Sequence, residues 1–387
     1  MNARLSLPMA VIIGINAMVG AGIFTVPSAL QVTVGPVGLI GYFFVILSVI
    51  CLALSLARMS ELYPEEGAFY VYASKWLGHA GGLFASACYI VGLIVAMGLL
   101  TKITANYLSI YFPQSNPELV GALIIGAILL INLLGSFMNQ VGQLILIVLT
   151  ILPLFGITLL CLLHADTRNL FPLAPYGFGH IFPALKAVVF GFFGFEAIPA
   201  LFTRIHEPEK NVSKAITYSI IIVGFIYLTF VSSIFLALPR ELFTSADIPL
   251  AKVLLQAFPE YPFFIHILNW SIIITIIGTL NAMIMAVSSL VVSLGKRIHQ
   301  EKLITASTSL IGVGLGIIAS SIIFTNIDLL FSIAGVCIIT AYVCALVPLL
   351  YLKKNISYTQ RIIAALGIMS ALVILLCALD GIFHITG

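Results

Sequence analysis

Long apolar runs separated by short polar segments are the main feature of this chain. Most runs reach or exceed the roughly 20 residues that an α-helix needs to cross the hydrocarbon core of a bilayer. Charged and turn-forming residues are concentrated in the separators, for example at 63–67, 113–117 and 206–214. The pattern predicts an all-α polytopic membrane protein of about eleven transmembrane helices. The predicted spans are 8–30, 37–62, 81–111, 119–137, 141–164, 181–203, 215–238, 262–294, 304–324, 327–352 and 361–383.

The composition supports this class and excludes several others. Hydrophobic residues make up 61% of the 387 residues and charged residues 8%. A soluble domain with so few charges could not cover its surface with polar groups, whereas lipid allows an apolar outer face. The six cysteines lack the spacing of a metal site, and no cluster of His, Asp or Cys within the runs suggests an enzyme. We therefore expect a lipid-embedded, non-enzymatic protein with no cofactor or metal, and the net charge of +3 does not indicate a nucleic-acid partner.

The distribution of Lys and Arg predicts the orientation. With the N-terminus inside, twelve of the 17 Lys and Arg residues lie on the inner side and three on the outer side. The other two, Lys102 and Lys186, lie within spans. An excess of positive charge marks cytoplasmic loops. We therefore expect a multi-pass protein of a bacterial-type inner (plasma) membrane with a cytoplasmic N-terminus. For Lys102 we favour snorkelling or a structural pairing over a role in coupling.

The first span contains two glycines within three residues, Gly20 and Gly22, followed by Pro27. Each glycine weakens a helix by roughly 1 kcal/mol relative to alanine, so a break in mid-span is expected. The second half-helix would then present free N–H groups and a positive dipole end, which suit a carboxylate. Close helix packing is an equally good explanation of the glycines taken alone.

The sixth span repeats this pattern beside an acidic residue. Gly191 and Gly194 lie in mid-span and Glu196 follows them. An ionisable group inside a membrane is a candidate functional residue, although backbone groups of a break could also satisfy it structurally. Two interrupted spans five apart indicate inverted repeats. We predict one transporter domain over 1–387, with repeat one at about 8–164, repeat two at about 181–352 and an extra helix at 361–383.

Several motifs occur in the order found in one transporter family. They are Gly20-Ala21-Gly22-Ile23-Phe24, then Ser60-Glu61-Leu62 with Pro64, Gly67, Tyr70 and Tyr72, then Phe193-Gly194-Phe195-Glu196 with Pro208, Asn211 and Lys214-Ala215-Ile216. With them the chain resembles the amino acid–polyamine–organocation (APC) transporters. The resemblance implies a five-plus-five inverted repeat of the LeuT-like type, with broken helices one and six. It also implies secondary active transport of a small amino acid or amine by alternating access.

Within this family the chain is most similar to the bacterial arginine:agmatine antiporters, and this similarity implies exchange. A second copy of the chain is a candidate partner. The resemblance implies a set of substrate-binding residues, with Phe190 also as a gate and Glu196 as the proton-coupling residue. The substrate-binding set is Ala17, Gly20, Ala21, Gly22, Ile23, Tyr89, Met97, Phe190, Phe193 and Met283. Ala17, Met97 and Met283 replace more polar or larger residues of the antiporters. This makes the pocket more apolar and favours a smaller neutral or apolar amino acid over arginine.

Two alternatives to exchange stay open. Many relatives carry a lysine in the fifth span, where this chain has Thr150. The absence of that ammonium favours exchange over proton-driven uptake. Alternatively, Thr150 with Thr279 or Asn281 could help to coordinate Na⁺ through oxygens. The alternative mode of transport is therefore a proton- or sodium-coupled symporter. A non-transporting sensor or scaffold on the same fold is the other alternative, because eleven spans are one fewer than the family's usual twelve.

Overall fold

The computed structural model describes residues 5–20, 22–65, 67–134, 140–200, 202, 205–324, 326–352 and 356–386. Within these residues the regular structure is helical, apart from one isolated bridge between Leu5 and Ile205. The helices in chain order are α1 (Leu7–Met18), α2 (Gly22–Thr33), α3 (Gly38–Leu62), α4 (Ala68–Leu108), α5 (Pro117–Leu134), α6 (Gln140–Leu163), α7 (Ile181–Phe190), α8 (Ala197–Ala200), α9 (Pro208–Ala237), α10 (Leu250–Ala257), α11 (Pro262–Arg297), α12 (Ala306–Ile323), α13 (Ile327–Leu346), α14 (Pro348–Tyr351) and α15 (Tyr358–Thr386).

The lengths and hydropathy of these helices match the predicted spans. Among the described residues, seven helical segments are long and apolar enough to cross a membrane, and α1 with α2, bent by 45°, forms an eighth. The other three predicted spans correspond to α5, to α6, and to α7 with α8. Large apolar side chains also cover much of the surface; Phe43, Phe225 and Leu315 are 66%, 72% and 61% exposed. Such a surface is stable in lipid but not in water.

Two boundaries differ from the prediction. The helix predicted at 81–111 begins at Ala68, with a kink at Gly78, where φ is 67°. The separator predicted at 206–214 is mostly helical, because α9 begins at Pro208. Proline is favoured in the first turn of a helix, and these polar turns carry little hydropathy signal. Between two spans the chain also forms the short helix α10, whose Leu250 and Leu254 are buried.

Interior packing brings both interrupted spans to the centre of the helix bundle. α13 packs along α4 and α15, and α9 packs against α1 and α3. Glycines permit the closest crossings: a β-carbon on Gly92 would lie 2.6 Å from the Ile338 side chain, and one on Gly14 would lie 2.6 Å from the Ser219 hydroxyl. Small residues at such crossings let helix backbones approach each other in lipid. The packed helices therefore surround the breaks between α1 and α2 and between α7 and α8.

Candidate functional site

The two helix breaks are in direct contact. Gly194 has φ of 115°, a conformation that L side chains rarely adopt. A β-carbon on Gly194 would overlap the carbonyl of Ala17, which lies in the last turn of α1. On the other side of the contact, a β-carbon on Gly22 would lie 3.2 Å from the Cα of Gly191. The glycines predicted to break the spans therefore also let the breaks approach each other closely.

Half-helix ends of opposite polarity meet at this contact. α2 begins at Gly22, so its first N–H groups have no partner within the helix. α7 ends at Phe190, and the chain then continues in tight turns, with Phe192 N donating to Val189 O at 3.0 Å and Phe193 N donating to Phe190 O at 3.3 Å. The helix dipole makes the start of α2 positive and the end of α7 negative. This arrangement suits a ligand that carries both a carboxylate and an ammonium group.

A tyrosine outside the predicted set connects the two breaks. Tyr227 of α9 is fully buried, and its hydroxyl lies 2.9 Å from both the Met18 carbonyl oxygen and the Gly191 carbonyl oxygen. Both carbonyls lie at helix ends, where they lack a complete set of intrahelical donors. The single hydroxyl proton is therefore shared between backbone carbonyls of the two interrupted spans.

Glu196 lies beside the breaks with three donors around its carboxylate. It is 9% exposed and accepts hydrogen bonds from Tyr89 Oη at 2.5 Å, Tyr342 Oη at 2.9 Å and the Gly194 amide at 3.0 Å. A charged carboxylate can accept all three bonds, whereas a protonated one loses acceptor capacity. Tyr89 was predicted at the site, and Tyr342 of α13 was not. Through these bonds Glu196 connects the sixth span to α4 and α13.

Aromatic rings close one side of the site. Phe190 packs edge-on against Phe331 of α13, with ring centroids 4.9 Å apart, and against Phe193 at 5.8 Å. Phe193 in turn packs against Tyr342 at 6.3 Å. Edge-to-face aromatic pairs at these distances contribute stabilisation in addition to that from burying apolar area. The two predicted phenylalanines are therefore part of a cover that α13 completes.

A narrow crevice borders the site at Tyr89. The other lining residues come from the start and the middle of α4 and from the end of α11. The lining consists of Gly67, Phe69, Tyr70, Ser86, Tyr89, Ile90, Leu290, Ser293, Leu294 and Arg297. At the mouth, Arg297 lies 3.6 Å from Glu65 and 5.2 Å from the centre of the Tyr70 ring. The crevice is therefore linked to the site through Tyr89, whose hydroxyl donates to Glu196.

The remaining predicted substrate-site residues are distributed around this centre. Gly20 faces Thr279 of α11, whose Cγ2 would lie 3.0 Å from a β-carbon at position 20. Ile23 and Met97 are fully buried, Met97 lying two turns along α4 from Tyr89. Met283 is half-buried on α11, and Ala21 lies outside the described residues.

The residues considered for a cation separate into two groups. Thr150 Oγ1 lies 3.3 Å from Thr275 Oγ1, and Thr279 Oγ1 donates to the Thr275 carbonyl oxygen at 3.0 Å. Asn281 accepts instead from Asn132 of α5, at 2.6 Å. The structure thus places Thr150 and Thr279 on either side of Thr275 and ties Asn281 to the fourth span. Among the described residues there is no group of three His, Cys, Asp or Glu side chains suited to a metal ion.

Comparison with known proteins agrees with this architecture. The family model described as "Amino acid permease" matches residues 5–385. The branched-chain amino acid permease BcaP of Bacillus subtilis (strain 168) is 25% identical over 266 residues, which are 64% of this chain and 57% of that protein. The aromatic amino acid transport protein AroP of Corynebacterium glutamicum is 23% identical over 378 residues, covering 90% of this chain and 81% of that protein.

A solved structure shows the same fold. The structure of a Na⁺-coupled sialic acid symporter matches with a TM-score of 0.62 at 13% sequence identity, covering 96% of this chain and 89% of that chain. At this identity the likeness establishes architecture alone. It confirms the predicted fold class, a LeuT-like all-α membrane protein with interrupted first and sixth spans.

Proposed function

Since the chain belongs to the amino acid permease family, we propose that it is a secondary transporter that exchanges neutral, mainly apolar amino acids or amines by alternating access. The contact between the two helix breaks carries this proposal. It places the free amides at the start of α2 beside the last carbonyls of α7, with Glu196 and a cover of aromatic rings close by. Binding at unwound half-helices near the midplane is the arrangement expected of such transporters.

In the proposed site the breaks hold the substrate by its backbone groups. Amides of Gly22 and Ile23, with that of Ala21, bind the carboxylate. The Gly20 amide, which donates to the Met18 carbonyl oxygen at 2.9 Å in this structure, joins them when that bond is released. Carbonyl groups around Phe190 and in α1, where Ala17 contacts the sixth span, take the amino group. Phe190 closes over the bound molecule, because its ring lies against both Gly22 and Phe331.

The surroundings favour an apolar side chain on the substrate. Met97 and Met283 offer flexible thioether side chains, which adapt to ligands of different shapes. Phe193 adds an aromatic surface. The names of the relatives support this choice, since one is a branched-chain amino acid permease and another an aromatic amino acid transport protein. We therefore propose leucine-like or phenylalanine-like substrates rather than arginine.

Exchange is the proposed mode of transport. The fifth span holds Thr150 where an ammonium group would otherwise stand, and Thr150 hydrogen-bonds Thr275. Without a cation or an ammonium group at this position, the empty transporter does not return to its starting conformation. A second substrate molecule must therefore bind for the return, which makes the protein an exchanger. A sodium-coupled symporter is the second candidate, because the Thr150 hydroxyl lies 3.3 Å from that of Thr275, and Thr279, one turn further along α11, faces Gly20.

We also propose that the N-terminus is cytoplasmic in an inner (plasma) membrane. The crevice beside Arg297 then faces the cytoplasm, and the cover of Phe190 and Phe331 faces outside. Alternating access closes one path as the other opens, and substrate drives the change only through its different affinity for the two states. Glu196 senses or moves a proton during this change, since its protonation removes an acceptor from Tyr89 or Tyr342.

Counterflow tests the proposal directly. Proteoliposomes are loaded with leucine, phenylalanine, arginine, agmatine or buffer alone, and uptake of each radiolabelled compound is measured without ion gradients. We expect uptake of leucine or phenylalanine only when the lumen contains a substrate, and little uptake of arginine. Phe190→Ala should slow the uptake of leucine or phenylalanine, whereas Phe225→Ala, at a lipid-facing position, should not. Uptake that requires a proton or sodium gradient would favour the symporter, and binding without counterflow would favour a sensor.

A further inference from the structure

A buried lysine lies in the first half of the sixth span, away from the two breaks. Lys186 of α7 is 6% exposed. Its Nζ lies 2.6 Å from Asp328 Oδ2 and 3.2 Å from Ser332 Oγ, both on α13. An ammonium inside a membrane segment is costly unless it is paired, so its persistence calls for a physical explanation. Lys186 has no place in the substrate site described above.

The lysine is part of a two-layer contact between α7 and α13. Lys186 and Phe190 are four residues apart and therefore share one face of α7. On α13, Asp328, Phe331 and Ser332 likewise lie within one turn of each other. The outer layer is the ion pair, and the inner layer is the edge-to-face pair of Phe190 and Phe331, with ring centroids 4.9 Å apart. The half-helix cannot move away from α13 without separating both layers.

A third helix covers the ion pair. A β-carbon on Gly381 of α15 would overlap the Lys186 ammonium and lie 2.6 Å from the Ser332 hydroxyl. The backbone of α15 therefore closes over the lysine at a position where a larger residue would displace it. The partners differ in their access to water, because the Lys186 side chain is 7% exposed and that of Asp328 is 42% exposed.

We propose that Lys186 and Asp328 form a latch that holds the first half of the sixth span closed over the binding site. This inference rests on the proposed function, because it assigns the latch to the outer path of the transporter. When that path opens, the pair separates and water hydrates both groups. When it closes, the ammonium loses water and depends on Asp328 for its counter-charge. Both are positioning residues, which act on substrate through Phe190.

The unequal burial of the partners predicts unequal effects of substitution. Asp328→Asn removes the carboxylate that contacts the ammonium in its dry site, which strongly disfavours the closed state. Lys186→Met removes the buried charge and leaves an apolar chain of similar length, while the remaining carboxylate is already partly hydrated. The double variant should therefore behave like Lys186→Met, so the effect of Asp328→Asn should disappear once the lysine is absent.

Distances between spin labels test the latch without requiring transport. Labels are placed at Phe182 in the first turn of α7 and at Ile323 at the end of α12, positions that are 57% and 69% exposed, in a cysteine-free protein in nanodiscs. The distance distribution gives the populations of an open state, with the longer distance, and a closed state, with the shorter one. We expect Asp328→Asn to raise the ratio of the open to the closed population at least about tenfold. Asp328→Glu, Lys186→Met and the double variant with Asp328→Asn should keep the wild-type ratio.

Two further variants test whether the lysine can be displaced sterically and whether Asp380 replaces Asp328 as its counter-charge. Gly381→Ala should also lengthen the distance, since it displaces the ammonium sterically while retaining both charges. Asp328→Asn is repeated together with Asp380→Asn, because Asp380 precedes Gly381 on α15. The latch would be overturned by wild-type distances in Asp328→Asn both alone and together with Asp380→Asn. It would also be overturned if Lys186→Met opened the outer path as much as Asp328→Asn does. If the wild type shows counterflow but the distances do not change in these variants, only the latch is refuted. If the distances change as expected but the wild type shows no counterflow, the proposed transport function is refuted.

Discussion

Replacing Gly194 by alanine should separate the two helix breaks and stop transport. The backbone at Gly194 has φ of 115°, and such conformations cost a residue with a side chain about 1–3 kcal/mol. The added methyl group would also lie 2.6 Å from the carbonyl carbon of Ala17, although real contacts of a β-carbon essentially never fall below 3.0 Å. Relieving that overlap moves backbone against backbone and costs about a further 1–3 kcal/mol.

Gly177→Ala is the matched control for this substitution. Gly177 has φ of 92°, but its β-carbon would meet nothing within 4 Å, so only the conformational cost applies. The difference between the variants is therefore the overlap alone, about 1–3 kcal/mol, which corresponds to a factor of about 5–150 in the population of the state in which the breaks touch.

The assay is the initial rate of substrate counterflow in proteoliposomes, with the apparent Tm of the detergent-purified protein measured in parallel. We expect Gly194→Ala to transport about 5–150-fold more slowly than Gly177→Ala and to melt at a lower temperature. Equal rates and equal apparent Tm values for the two variants would refute the reasoning, because they would mean that the transport cycle does not need the breaks in contact.

Three further substitutions test individual bonds of the site. Tyr227→Phe removes the one donor that two buried carbonyls share and should cost about 1–3 kcal/mol, lowering the apparent Tm, whereas Tyr218→Phe on the exposed face of the same helix should not. Glu196→Gln should slow counterflow and flatten its pH profile, with exposed Glu118→Gln as control; an unchanged profile would remove the proposed proton role. Thr150→Val should give equal counterflow with and without Na⁺, as in the wild type; a wild-type stimulation by Na⁺ that the variant loses would indicate symport.

The helices and both breaks could be predicted from the sequence because their signals are local. A run of apolar residues such as α15 needs no partner to be recognised as a span. Paired glycines in mid-span weaken a helix wherever it packs, so the breaks at Gly20–Gly22 and Gly191–Gly194 follow from composition. Polar helical turns outside the apolar core escaped the same reasoning, as the start of α9 at Pro208 shows.

The side chains that complete the site could not be predicted, because their roles depend on packing between distant segments. Tyr342 lies 146 positions from Glu196, and only the packing of α13 against α4 and α7 brings its hydroxyl to the carboxylate. Tyr227 is one of 14 tyrosines, and its sequence neighbours give no reason to expect a bond to both breaks. Lys186 was recognised as lying in a span, but its partner Asp328 is 142 positions away.

A cryo-electron microscopy structure with a counterflow substrate bound tests most directly whether the two breaks form the binding site. We predict density between the start of α2 and the end of α7, with the carboxylate at the amides of Gly22 and Ile23 and the side chain beneath Phe190. Density confined to the crevice beside Arg297, with no ligand between the two breaks, would contradict the proposed site.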